Sequence, residues 1–240
     1  MTTAQDGGRH RRSPAFLIGL TLIAILFFSG FCALGAWQVQ RLGWKRDLIA
    51  RVDARIHALP VPAPFTAGRA DEYRRVHVSG RFLHDKAVLV QAVTVRGAGF
   101  WVLTPLVADR GFTVMVNRGF VPPEKRDGYA RPQGEQRVAG LLRLSEPGGG
   151  FLRANDPAAN RWFSRDVAAI GAARGIRGPI AGYFIDADAS APDGLPVGGL
   201  TVVTFPNNHL QYAVTWFMLA AMVAGAYIFV MRHEWKSRRS

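Results

Sequence analysis

Two stretches of this chain are continuously apolar, and the stretch between them alternates. Ser13 to Gln40 carries no charged residue, and no Asp, Glu, Lys or Arg occurs from Gly194 to Met231. Within the first stretch, Ala15 to Ala36 exceeds the ~20 helical residues that a hydrocarbon core requires. The second predicts a span from Leu210 to Met231. Leu34, Trp37, Arg41, Trp44 and Leu48 recur at helical steps, so the first helix is predicted to continue beyond its apolar part through Arg55. Leu59 to Pro64 is then read as a stiff, extended linker.

From there the period becomes that of strands. Arg74 to Phe82 alternates as a strand, with Asp85 to Val95 as its expected hairpin partner. Phe100 to Val107 and Phe112 to Val116 are predicted strands joined by a turn at Asp109-Arg110-Gly111. Asn117-Arg118-Gly119 is read as a further turn, with Gly119 free to take positive φ and Arg118 as a surface or domain-core ion pair. Val138 to Leu144 is a strand ended by Pro147-Gly148-Gly149-Gly150. Trp162 to Ala173 is a short amphipathic helix with Asp166 near its start. Ile180 to Asp186 is a strand, and Ala187 to Gly199 a loop. Asp186 and Asp188 are expected to be surface loop carboxylates.

The expected fold class is an α+β membrane protein, with two terminal transmembrane helices flanking an antiparallel-sheet-rich extracytoplasmic domain. Its expected divisions are a basic tail (1–14), a first span (15–36), an outer domain with a juxtamembrane helix (37–209), a second span (210–231) and a second basic tail (232–240).

Charge and cysteine narrow the function. The 240 residues carry a formal net charge of +13, a balance that fits nucleic acid or an anionic membrane surface. The two apolar stretches decide for the lipid bilayer and against nucleic acid. Arg9, Arg11 and Arg12 precede the first span, and Arg232, Lys236, Arg238 and Arg239 follow the second. By the positive-inside rule both termini are expected in the cytoplasm, with the central domain outside. The first stretch is longer than the ~7–15 residues of a signal-peptide apolar region and no clear cleavage site follows, so it reads as an uncleaved anchor. The single cysteine, Cys32, excludes an intrachain disulfide framework and a Cys-based zinc or copper cluster.

Candidate chemistry concentrates at one place. His209 stands where Pro206-Asn207-Asn208 gives way to the second apolar stretch. A helix starting near Asn207 would put His209, Tyr212 and Trp216 on one face. Arg41, Lys45 and Arg46 cluster just past the first span; they fit lipid phosphates, or an anionic ligand near His209. The remaining histidines form no close metal pair. The serines lack a nucleophile-elbow setting, and the Gly-rich stretches lack the strand–glycine–helix context of a nucleotide loop. No enzyme is indicated.

Three blocks carry a resemblance. They are Leu34-Gly35-Ala36-Trp37-Gln38-Val39-Gln40-Arg41-Leu42-Gly43-Trp44-Lys45, then Val116-Asn117-Arg118-Gly119-Phe120-Val121-Pro122, then Asn207-Asn208-His209-Leu210-Gln211-Tyr212-Ala213-Val214-Thr215-Trp216-Phe217. In this order, between two spans, they resemble the surfeit locus protein 1 family of cytochrome c oxidase assembly proteins; the family usually has Trp at the position of Phe120. The resemblance implies a non-enzymatic assembly factor that binds haem a and helps insert it into subunit I of a haem-copper terminal oxidase. It also leaves open a structural chaperone of subunit I that never touches haem. The family's proposed iron ligand matches His209. Tyr212 and Trp216 would then form an aromatic wall, and Arg41 and Lys45 would pair with propionates. The implied partners are cytochrome c oxidase subunit I and the haem a synthesis machinery, and the implied location is a bacterial inner (plasma) membrane with a periplasmic central domain. The physics agrees: a helix N-terminus disfavours an imidazolium, which keeps the ring able to ligate iron.

Overall fold

The computed structural model describes residues 13–150, 152–189, 194–203 and 205–239. The expected basic residues before Ser13, the middle of the 187–199 loop and Ser240 lie outside them. The chain divides into two compact units, 1–49 with 205–240, and 50–204.

The first unit holds two helices that are long and apolar enough to cross a membrane. Helix α1 runs Pro14–His57 and α3 runs His209–Arg239. Along both, most large apolar side chains face outward. The less exposed positions of α1 (Thr21, Ala24, Phe31, Gly35, Gln38, Leu42, Lys45) are spaced by three, four and seven, the 3.5-residue period of a coiled-coil seam. The matching positions of α3 run from His209 through Ala213, Trp216, Ala220 and Val223 to Tyr227. The contacts fix an antiparallel pair. Thr21 Oγ1 meets the Tyr227 hydroxyl at 3.0 Å, and the Phe31 ring stacks on Trp216 with centroids 5.7 Å apart. Gly35 lets the ring of Phe217 come so close that a Cβ there would lie 2.8 Å from it.

Among its described residues the second unit is built on nine strands: β1 Val61–Pro62, β2 Arg75–Phe82, β3 Val88–Thr94, β4 Gly97–Ala108, β5 Thr113–Val121, β6 Glu135–Leu144, the two-residue β7 Gly149–Gly150 and β8 Arg153–Ala154, and β9 Ile180–Ala187. Seven form one sheet in the order β1-β2-β6-β9-β5-β4-β3, and β2 also pairs with β4. That last pairing closes β2, β6, β9, β5 and β4 into a barrel-like ring. The sheet is mixed rather than antiparallel, because β5 runs parallel to β9 and β1 parallel to β2.

Alternation in the central strands explains the core. Val114 and Val116 of β5 and Tyr183 and Ile185 of β9 point into the ring, where they meet Val76, Val78, Leu106 and Leu142. Met115 and Phe184, between them, point the other way. That second face is covered by Trp162 and by helix α2, Val167–Ala173, through Val167 and Ile170. With both faces buried, β5 and β9 read as apolar runs rather than half-polar strands.

Four expectations are corrected. Asp85 to Val95 is not the hairpin partner of β2; β3 pairs with β4, and β2 pairs with β6 and the end of β4. The predicted helix from Trp162 begins only at Val167. Asn155 Oδ1 holds the amides of Phe163 and Ser164 in an extended segment, and Asp166 caps the helix by accepting from the Ala169 amide at 3.1 Å. Asn117-Arg118-Gly119 is not a turn but a bulged part of β5, where the register against β4 shifts. There the Asn117 side chain takes over local bonding: Oδ1 accepts from the Gly119 amide and Nδ2 donates to Asp186. Lastly, Asp186 is no loop carboxylate. It is buried and accepts from Asn117, Arg143, Arg165 and Thr201. Arg165 in turn forks onto Glu146. Burial alone would raise the Glu146 carboxyl, but the hydrogen bonds and charge of Arg165 outweigh it and hold the group below its ordinary range.

Candidate functional site

The candidate site lies where the α1–α3 seam meets the start of α3. His209 is the first residue of α3, and it sits on the seam opposite Gln38. The side chain of Gln38 is buried, an unusual fate for an uncharged polar group on an apolar helix. Its amide oxygen has one contact: His209 Nδ1 and Gln38 Oε1 are 2.8 Å apart. In the tautomer with the proton on Nδ1, that nitrogen donates to the amide oxygen. Nε2, which has no hydrogen-bond partner among the described residues, then carries the ring's lone pair. This is the arrangement by which a second ring nitrogen is held ready to ligate a metal.

The other predicted residues distribute unevenly around this pair. Trp216 lies two turns along the seam and stacks on Phe31 at an interplanar angle of 26°. Tyr212 is more than half exposed, and its place on the seam is taken by the buried Ala213. The face is thus His209, Ala213 and Trp216, a step of four then three, instead of His209, Tyr212 and Trp216. Lys45 reaches over the Phe205 ring, 5.4 Å from its centroid. Arg41 instead folds back on its own helix and stacks on Trp44 at 4.5 Å. The structure therefore brings His209 together with Gln38, and Trp216 with Phe31, while Arg41 and Tyr212 face outward.

Gln38 is the residue that sequence reasoning passed over. Its signal is its spacing: it falls between Gly35 and Leu42, the two other buried positions of that part of α1. Among the described residues no group of three or more His, Cys, Asp or Glu side chains could hold a metal ion.

Both sides of this pair fall within a recognised family. The family model described as the SURF1 family matches residues 25–221. The chain belongs to the SURF1 family. Surfeit locus protein 1 of Mus musculus is 39% identical over 244 residues, covering 92% of this chain and 77% of the mouse protein. The Homo sapiens protein of the same name is 40% identical over 226 residues, or 84% of this chain and 73% of its own. The SURF1-like protein of Monosiga brevicollis is 35% identical over 253 residues, covering 96% of this chain and 93% of its own. The family match takes in Gln38, His209 and Trp216, and leaves out the seam positions Thr21, Ala24, Val223 and Tyr227.

Proposed function

We propose that this chain is an assembly factor for cytochrome c oxidase that holds haem a and passes it to subunit I, acting by binding rather than by catalysis. The observation that carries the reading is the Gln38–His209 contact; with the proton on Nδ1 it leaves Nε2 as the ring's lone-pair donor. A lone nitrogen donor would suit an iron that a porphyrin already holds. When bound, the haem supplies an iron that accepts the Nε2 lone pair. The chain's own residues do the rest. Gln38 fixes the tautomer and the ring plane. Trp216, with Phe31, presents an aromatic wall along the seam, and Tyr212 adds to it from the outer face. Lys45 and Arg41, on the α1 turns beyond Gln38, offer charge to propionates.

In this reading α1 and α3 cross the bilayer of a bacterial inner membrane. The basic ends stay on the cytoplasmic side and the sheet unit lies in the periplasm, where subunit I and the haem a synthesis machinery are the partners.

The test is to purify the full chain from cells that make haem a and record its absorption spectrum. We expect a haem band that His209→Ala abolishes, with a fall in the haem a content of the oxidase. An unchanged spectrum in His209→Ala removes His209 as the ligand. A haem-free protein that still supports oxidase maturation moves the function to a chaperone of subunit I.

A further inference from the structure

The sheet unit carries a cleft that the haem reading does not use. It encloses about 610 Å³ and is floored by Phe82, Val116, Val138, Leu195 and Pro196. Size and apolar lining are those of a small-molecule site. Its charged groups are unbalanced. Among the described residues, Arg118, Arg131 and Arg137 line it against a single carboxylate, Asp188, and Asp188 is already committed to Arg75.

Arg118 is the telling member. Expected as an ion pair, it has no carboxylate partner among the described residues. Nη2 donates to the Ala130 carbonyl at 2.6 Å. The guanidinium lies over the rings of Phe82 and Tyr129, at 5.1 and 5.9 Å. Nη1 is buried without a hydrogen-bond partner among the described residues. Aromatic faces offset only part of the cost of desolvating a cation. Burial, and then the nearby charge of Arg131, pull its pKa below the ordinary arginine value. The backbone that holds it is also special, since Arg118 lies within the β5 bulge, next to Gly119 at φ +127°. Bulges re-aim side chains next to binding sites.

We propose that this cleft is a binding site for an organic anion: a carboxylate or phosphate head held by Arg118 and Arg137, with an apolar body lying against Phe82, Val138 and Leu195. Guanidinium forks match the paired oxygens of either head.

Calorimetric titration of the full chain in nonionic detergent tests this. The probes are 4-phenylbutyrate and phenyl phosphate, with 4-phenylbutanol as the uncharged control. We expect at least one acid to bind and the alcohol to bind about tenfold more weakly or not at all, as loss of a charged hydrogen bond requires. The stronger acid identifies the head. Arg118→Gln should weaken it by about tenfold or more. Arg137→Gln, an exposed change that leaves folding aside, should weaken it measurably, and added salt should do the same. The proposal fails if neither acid binds, if the alcohol binds as well as the acids, or if Arg137→Gln and Arg118→Gln both bind like the parent. Should Arg118→Gln unfold, the Arg137→Gln result alone decides.

Discussion

Gln38 and His209 lie 171 positions apart in the chain and meet at 2.8 Å, amide oxygen to Nδ1. With Nδ1 as the donor, this contact leaves Nε2 as the ring's lone-pair nitrogen. If His209 ligates haem iron, Gln38 is its orienting partner, and loss of such partners typically costs about 10–100-fold in affinity. Gln38→Leu should therefore reduce the haem retained by the purified protein by about that factor, read from the absorption spectrum. Gln38→Glu keeps an acceptor and should retain more haem than Gln38→Leu. A Gln38→Leu protein with a full, unshifted haem spectrum would show that the tautomer is set by something else.

Gly35 and Phe217 make a second test of the seam. A Cβ at Gly35 would sit 2.8 Å from the Phe217 ring, and real packing does not allow that. Gly35→Ala must either push the ring off its rotamer or separate the helices, at a cost of about 1–3 kcal/mol. Phe217→Ala makes room, so Gly35→Ala with Phe217→Ala should be less destabilised than the sum of the single changes. Thermal melting in detergent reads both. Strict additivity would mean that the two residues are not in contact.

The β5 bulge predicts a larger effect. Gly119 has φ +127°, and a Cβ there would fall 2.3 Å from the Val197 carbonyl. Strain and collision act together, so Gly119→Ala should lose at least the roughly 1–3 kcal/mol of a strained backbone. The Val197–Phe120 pairing, in which each amide donates to the other residue's carbonyl at 2.9 Å, should open with it. Faster amide exchange at Phe120 and Val197 would record that opening. A Gly119→Ala protein of parental stability and exchange would refute the geometry.

These residues show what the chain discloses in one dimension. The two apolar helices, the position of His209 and the alternation of β2 follow from local pattern, because burial of a helix face or strand face repeats along the chain. Partners do not repeat. Gln38 looks unremarkable until α3 places His209 against it. Asn117 and Gly119 resemble a turn because both residue types favour one, and only Asp186 and Val197, brought in from far along the chain, turn them into a bulge. Likewise Asp186 precedes a loop rich in Asp, Pro and Gly, and nothing nearby hints that Arg143 and Arg165 bury it. The β2–β3 hairpin failed for a related reason. Two adjacent alternating runs suggest pairing, but Gly97 opens a second, tighter hairpin that gives β3 to β4.

The Glu146–Arg165 fork should make the sheet unit acid-sensitive in a defined window. Glu146 is held below its ordinary value of 4.5 by Arg165 despite partial burial. A carboxyl whose folded pKa is depressed contributes stability that is fully present above its unfolded pKa and is lost as pH falls through the folded value. The contribution is thus complete at neutral pH and disappears below about 4.5. Glu146→Gln keeps the shape and removes the titration. The melting temperature of the parent should exceed that of Glu146→Gln at pH 7, and the two should converge as the pH is lowered toward 3. Every other carboxylate titrates in both proteins, so the difference isolates this pair. Parallel curves from pH 7 to 3 would mean that Arg165 draws its binding from Asp186 alone, whose carboxylate it also reaches at 3.3 Å.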